Sequence, residues 1–157
     1  MSASAYIGFS PLDVQTGPDP AVAKGQMKRK RKTPRRKELK LLIADDSAAV
    51  RASLAAHCDF DGLNVVGQAK DGEQAMIAFN VHDPDIVILD LHMPKIGGLE
   101  VLRRIKTDKP KCCVIVLTAA ASDLVAEHCL KLGADYFFDK ATEVDLALDT
   151  LQRLACA

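Results

Sequence analysis

The chain has 157 residues, of which 48% are hydrophobic and 27% are charged. This length suits one domain with a tail and excludes a second domain of ordinary size. The formal net charge is zero, but residues 1–37 carry nine Lys and Arg against two Asp, and residues 38–157 carry twelve against nineteen acidic residues. The two parts therefore have opposite charges and differ in what they can bind.

From Leu39 onward, five short apolar runs alternate with five amphipathic stretches. In chain order, the pattern predicts a strand at 39–44 and a helix at 47–58 with a cap at Asp46 or Ser47, then a strand at 64–69 and a helix at 72–81. A strand at 85–89 and a helix at 98–107 follow, then a strand at 112–117 and a helix at 122–132 that Gly133 ends in a left-handed conformation. The last pair is a strand at 135–138 and a helix at 142–154.

Several of these strands are apolar on both faces, as a buried parallel sheet requires. With right-handed crossovers, the alternation predicts an α/β fold, a (βα)5 doubly wound parallel five-stranded sheet. Ligands of such sheets bind outside the carboxyl ends of the strands. That edge is where functional side chains are expected.

Polar side chains follow four of the predicted strands at that edge. Asp45 and Asp46 follow the first strand, Asp90 the third, Thr118 the fourth and Lys140 the fifth. Each alone has an ordinary explanation as a helix cap, a strand threonine or a solvated lysine. Because all of them fall in order at the same edge, the sequence predicts that they form one site.

The residue types at this edge indicate phosphoryl chemistry. Three carboxylates in one crevice repel each other unless a cation shares the site. Mg²⁺ takes oxygen ligands and commonly binds one or two carboxylates together with phosphate oxygens. A carboxylate such as Asp90 can then attack phosphorus and form an acyl phosphate, while Lys140 and the Thr118 hydroxyl bind the phosphoryl oxygens.

Four motifs together resemble the receiver domain of two-component response regulators. They are Leu42-Ile-Ala-Asp-Asp-Ser47, Asp90-Leu-His-Met-Pro94 followed by Gly97-Gly98, Leu117-Thr-Ala119 and Phe137-Phe-Asp-Lys140. The resemblance extends from residue 38 to the C-terminus and implies a flavodoxin-like strand order 2-1-3-4-5.

The resemblance also implies roles for the residues at the sheet edge. Asp90 is expected to accept a phosphoryl group from a histidine kinase phosphohistidine, with Mg²⁺ as the cofactor. Asp46 would hold Mg²⁺ directly and Asp45 largely through water, with Asp90 and the backbone carbonyl of His92 as further ligands. Lys140 matches the family's lysine.

A conformational switch is the second implication of the resemblance. Thr118 is expected to move toward the phosphoryl group, and Phe137 to fill the space behind it. The surface of the fourth helix, fifth strand and fifth helix would then change for a partner. Tyr136, beside the switch position, could contribute to that surface.

The chain departs from the family pattern in two places. Ala141 stands where the family usually has Pro after the lysine, often with a cis bond, and a cis bond before Ala would cost roughly 2.5–4 kcal/mol. The loop into the last helix is therefore expected to differ. Two positions that influence phosphoryl lifetime in the family are His92 and Ala120, and they leave the lifetime open.

The ends of the chain suggest how the protein works. The chain stops at the fifth helix, so we expect a stand-alone receiver that acts through protein contacts. Its expected partners are a sensor histidine kinase or phosphotransfer protein and a downstream target protein. We expect no enzymatic activity beyond self-phosphorylation and slow self-dephosphorylation.

The cysteine pattern and the hydropathy indicate the cellular setting. Five cysteines without a Cys-x-x-Cys pair argue against a disulfide framework and a zinc site, and Cys112 and Cys113 are expected to be small core residues. No run approaches the roughly 18 apolar residues of a membrane span. Together these features predict a reduced, cytoplasmic setting.

Residues 1–37 are expected to form a disordered basic extension, with eight cations in the ten residues from Lys28 to Lys37. It could bind nucleic acid or acidic lipid, or it could be a solubilising tail or a leader before Met27. The sequence leaves two other classes of function to compare. A phosphohydrolase is disfavoured because Asp90-Leu-His92 lacks the usual Asp-x-Asp, whereas a phosphorylation-independent binding module that uses the basic arm stays open.

Overall fold

A computed structural model describes residues 36–157, in which five strands alternate with five helices. The strands are β1 (Leu39–Ala44), β2 (Leu63–Ala69), β3 (Ile86–Leu89), β4 (Cys113–Thr118) and β5 (Tyr136–Asp139). The helices are α1 (Ala48–His57), α2 (Gly72–His82), α3 (Gly98–Asp108), α4 (Asp123–Lys131) and α5 (Val144–Cys156). Apart from Arg36 and Lys37, the expected basic extension lies outside the described residues.

The strands form one parallel sheet in the order β2-β1-β3-β4-β5. This confirms the predicted fold class and the strand order that the family resemblance implied. The central strands β1 and β3 are apolar on both faces because each face is covered by helices, and β3 is buried along its whole length.

Two hydrophobic clusters lie on opposite faces of the sheet. One cluster joins the sheet to α2, α3 and α4 through residues such as Phe79, Leu102 and Cys129. The other joins it to α1 and α5 through residues such as Leu54 and Leu151. The doubly wound architecture follows from this division, since each helix buries its apolar stripe against one face.

Local signals in the sequence fix several helix ends. Ser47 caps the start of α1, because its side-chain oxygen accepts a hydrogen bond from the amide of Val50. Gly133 follows α4 with a φ of +106°, which confirms the predicted left-handed end. The adjacent cysteines Cys112 and Cys113 pack into opposite clusters, as expected for neighbouring positions at the start of β4.

The last helix begins two residues later than predicted. The sequence suggested Thr142 as its first residue, whereas α5 begins at Val144. The reason is a turn in which the amides of Thr142 and Glu143 both donate to the carbonyl oxygen of Asp139. No helix within residues 36–157 has the length and apolar character needed to cross a membrane.

Candidate functional site

The carboxyl edge of the sheet is held together by backbone hydrogen bonds that continue past the strands. The amide of Asp45 donates to Ala69, the amide of Asp90 donates to Ala44, and the amide of Lys140 donates to Thr118. Each of these bonds links a polar residue to the end of the neighbouring strand. These main-chain bonds therefore fix the backbone positions of Asp45, Asp90 and Lys140 relative to one another.

Asp45, Asp46 and Asp90 form an acidic cluster at this edge. Each offers a carboxylate oxygen within 4.8 Å of the others. Asp45 and Asp90 are only 2% and 3% exposed, whereas Asp46 is open to solvent. The structure thus brings together the three acids that the sequence predicted to meet.

Lys140 joins this cluster from the end of β5. Its Nζ lies 2.5 Å from Oδ2 of Asp45 and 3.1 Å from Oδ2 of Asp90. Burial disfavours the ammonium, but the hydrogen bonds to the two carboxylates outweigh that effect and raise the pKa of Lys140 above its ordinary value. Lys140 therefore stays charged at neutral pH and screens the two buried acids from each other.

The two oxygens of Asp45 are both occupied. Oδ1 accepts from the amide of Ser47 at 2.8 Å, and Oδ2 accepts from Lys140. Within the described residues, Asp46 receives no hydrogen bond, and Ser47 caps α1 instead of either acid. The alternative explanation that the acid pair is a helix cap is therefore wrong, which leaves Asp46 available for a ligand.

Asp90 is oriented by the loop that follows it. Its Oδ1 accepts from the amide of His92 at 3.3 Å, and the His92 imidazole lies at the surface. The loop returns to α3 through a hydrogen bond from the amide of Gly98 to the carbonyl oxygen of Leu91. The backbone after Asp90 and the start of α3 approach each other closely, since a Cβ on Gly98 would lie 2.3 Å from the carbonyl oxygen of Asp90.

Thr118 and Phe137 lie on β4 and β5 and are not part of the acidic cluster. Thr118 is fully buried, and its Oγ1 accepts from the amide of Ala120 at 3.3 Å. Within residues 36–157, its hydroxyl makes no hydrogen bond to Asp90 or Lys140. Phe137 is partly buried against the hydrophobic cluster that contains Val116, its partner on the neighbouring strand β4.

Sequence reasoning missed Arg51 as a residue of this edge. Arg51 lies in α1, and its Nη1 donates to the carbonyl oxygen of Asp45 at 2.6 Å. The bond fixes the loop that carries the acid pair. The chain contains no motif that would single out this arginine, because its role depends on the direction in which α1 leaves the sheet.

The donor set fits one divalent cation of the hard class. All candidate side-chain ligands are carboxylate oxygens, which suit Mg²⁺. Three negative charges meet one positive charge from Lys140, so a formal charge of −2 is left for a cation to balance. The residues present therefore fit Mg²⁺, the ion that the sequence predicts.

Comparison with known proteins gives consistent matches. The family model described as the response regulator receiver domain matches residues 41–152. Response regulator GacA of Pseudomonas syringae is 36% identical over 103 residues, which are 65% of this chain and 48% of that protein. Chemotaxis protein CheY of Listeria monocytogenes is 33% identical over 117 residues, which are 74% of this chain and 98% of that protein.

The chain thus spans about half the length of the first of these relatives and nearly all of the second. Among solved structures, a chain of the CheX-CheY-BeF3-Mg²⁺ complex from Borrelia burgdorferi matches with a TM-score of 0.63 and 30% identity. The match covers 71% of this chain and 88% of that chain.

Proposed function

We propose that this chain, which belongs to the response regulator receiver domain family, accepts a phosphoryl group on Asp90 from the phosphohistidine of a sensor kinase or phosphotransfer protein. Membership places it in two-component signalling. The step at Asp90, its metal dependence and its partners are the proposal. The observation that carries it is the contact of Lys140 with both Asp45 and Asp90 beside the exposed carboxylate of Asp46.

In the proposed step, a carboxylate oxygen of Asp90 attacks the phosphorus of the phosphohistidine. The P–N bond breaks, its electron pair passes to the imidazole nitrogen, and a P–O bond forms to give an acyl phosphate. Asp90 suits this role because it directly follows the buried strand β3 and its carboxylate is held on both oxygens, by His92 and by Lys140. A fixed carboxylate loses little entropy on reaching the reactive geometry.

The Lys140 ammonium would stabilise the negative charge of the incoming phosphoryl group. Its ammonium already contacts Oδ2 of Asp90, so it lies beside the oxygen atoms that would surround the new phosphorus. It has three donors, and a phosphoryl group could take over the donor that now serves Asp45 or Asp90. This exchange would keep the ammonium paired throughout the reaction.

Mg²⁺ would supply positive charge beside the phosphoryl oxygens. Asp46 would bind it directly, since its carboxylate is exposed and accepts no hydrogen bond within residues 36–157. Asp45 would act largely through water, because its oxygens accept hydrogen bonds of 2.8 and 2.5 Å, which are shorter than the 3.3 and 3.1 Å bonds at Asp90. Asp90 and the backbone carbonyl of His92 would complete the protein's share of the ligands.

Phosphorylation is proposed to switch the chain through Thr118 and Phe137. Within residues 36–157, the Thr118 hydroxyl would give up a single 3.3 Å bond, in which it accepts from the amide of Ala120, before it turns toward a phosphoryl oxygen. Phe137 packs next to β4 and could follow into the space behind it. The partner surface would comprise α4, β5 and α5, where Leu124 is 79% exposed and Tyr136 is 36% exposed.

We further propose that the chain acts in the cytoplasm as a protein-contact switch and not as a classical enzyme. It would catalyse only its own phosphorylation and slow dephosphorylation. The match with GacA covers 48% of that protein, so GacA carries further sequence outside the matched part.

The experiment is phosphorylation with acetyl phosphate in the presence of Mg²⁺ or a chelator, followed by phosphate-affinity electrophoresis. Wild-type protein is expected to gain a labile adduct only with Mg²⁺, and Asp90→Asn to gain none. A chain that never forms the adduct would favour the alternative of a phosphorylation-independent binding module. An adduct of equal yield in the chelator would contradict the role of the acidic cluster.

A further inference from the structure

Lys140 is held on both sides by a hydrogen-bonded turn that runs from Asp139 to Glu143. On its N-terminal side, the amide of Asp139 donates to Oε2 of Glu143 at 2.8 Å. On its C-terminal side, the amide of Ala141 donates to Oδ1 of Asp139 at 2.8 Å. Glu143 also donates its own amide to the carbonyl oxygen of Asp139 at 2.8 Å. The two acids therefore bond reciprocally around the lysine.

This turn depends on the alanine that departs from the family pattern. Proline has no amide hydrogen, so the bond from position 141 to Asp139 requires a residue other than proline there, which Ala141 provides. Within residues 36–157 every peptide bond is trans, including the one between Lys140 and Ala141. The chain thus orients Lys140 by side-chain hydrogen bonds instead of by a proline ring.

The same two acids also serve the start of α5. Glu143 precedes the helix, and the helix has no side-chain cap of the usual kind. The Asp139 and Glu143 carboxylates satisfy amides before the first turn, where negative charge is favourable. In the described residues, the Asp139 and Glu143 carboxylates accept hydrogen bonds from the amides on either side of Lys140 and none from the acidic cluster, so Lys140 is the residue that links the turn to the cluster.

We propose that Asp139 and Glu143 are positioning residues, which hold Lys140 where its ammonium reaches Asp45 and Asp90 and thereby set the rate of phosphoryl transfer. The inference rests on the proposed function for its rate effect. Its geometric part, the placement of the Lys140 ammonium, is independent of that function. The two parts therefore need separate measurements.

The first measurement is amine labelling of the whole chain with a lysine-reactive reagent, quantified at each lysine by mass spectrometry. Lys140 is expected to react more slowly than Lys131, because their side chains are 19% and 71% exposed. D139A should raise the labelling rate of Lys140 several-fold. D145A is the matched control, since it removes an exposed acid from the first turn of α5 without touching the turn.

The second measurement is the rate of phosphorylation by acetyl phosphate at saturating Mg²⁺. D139A should slow it by about 2- to 10-fold, the effect of one hydrogen bond. D139N keeps an oxygen acceptor for the amide of Ala141 and should restore the rate, and D145A should leave it unchanged. In a K140A background, D139A should have no further effect, which a purely structural role would not produce.

E143A and E143Q provide an independent pair if D139A fails to fold. E143A should speed labelling of Lys140, whereas E143Q retains the acceptor and should not. The inference is overturned if folded D139A and E143A label Lys140 at the wild-type rate, or if D139N is as impaired as D139A. A wild-type chain that takes up no phosphoryl group would refute the proposed function, and the labelling result would still decide the placement of Lys140.

Discussion

Gly98→Ala is expected to destabilise the domain and to disturb the backbone that carries Asp90. A Cβ at position 98 would lie 2.3 Å from the carbonyl oxygen of Asp90 and 2.5 Å from Cα of Leu91. Both obstacles are main-chain atoms, so no side-chain rotation relieves the overlap. The two segments would have to separate by about 0.7 Å to reach the 3.0 Å below which Cβ contacts essentially never occur.

The size of the effect follows from two opposing contributions. Overpacking in a tight site costs about 1–3 kcal/mol, and replacing Gly by Ala at a helical position returns roughly 0.5–1 kcal/mol. Taken at the midpoints of both ranges, the net loss in the free energy of unfolding should be about 1 kcal/mol. Phosphorylation should also slow, because the displaced peptide group directly follows the proposed acceptor.

Gly97→Ala is the matched control, since a Cβ there would meet nothing within 4 Å and the residue has a φ of −67° that alanine adopts readily. The poorer capping by Ala and the reduced entropy of the unfolded chain should roughly cancel, leaving stability within about 0.5 kcal/mol of wild type. Urea unfolding followed by circular dichroism measures both variants. Equal stability of the two would refute the close approach of α3 to the Asp90 loop.

Three further predictions concern the acid pair, the cysteines and the N-terminal residues. Asp46→Ala should weaken Mg²⁺ binding in calorimetry and lower phosphorylation without a large loss of thermal stability. Ser47→Ala should cost about 1 kcal/mol of stability, because Ser47 is the cap of α1. If Asp46→Ala costs the stability and Ser47→Ala does not, the cap is Asp46. In a native thiol titration at mildly alkaline pH, the exposed Cys156 should react first. Burial raises the pKa of Cys58 and Cys112 to about 11 and that of Cys113 to about 12, so these thiols stay protonated, and equally fast reaction of all five would contradict the packing. Deleting residues 1–35 should leave phosphoryl uptake from acetyl phosphate unchanged, and a large loss of uptake would show that the basic extension contributes to the site.

The sequence alone was sufficient for the sheet and for the edge where the acids meet. Strands such as β3 are continuous apolar runs, and a parallel sheet brings their carboxyl ends to one side, so Asp90 and Lys140 could be placed without coordinates. The strand order came from the resemblance to a family, because periodicity does not specify which strands are neighbours.

The hydrogen bonds inside the loops could not be predicted in the same way. Either Asp46 or Ser47 could have capped α1, and only the path of the loop shows that Ser47 does so. The turn from Asp139 to Glu143 delays the start of α5, and its bonds depend on backbone angles that composition does not determine. Arg51 was missed for the same reason, since its contact with Asp45 depends on the exit direction of α1.

The most direct measurement of the central claim is the identity of the phosphorylated side chain. The protein would be treated with acetyl phosphate and Mg²⁺, the acyl phosphate reduced with borohydride, and the digested peptides sequenced by mass spectrometry. The account predicts that the reduced aspartate is Asp90 and that it is absent from samples prepared without Mg²⁺. Modification of Asp45 or Asp46 in place of Asp90, or modification at a residue away from this edge of the sheet, would contradict it.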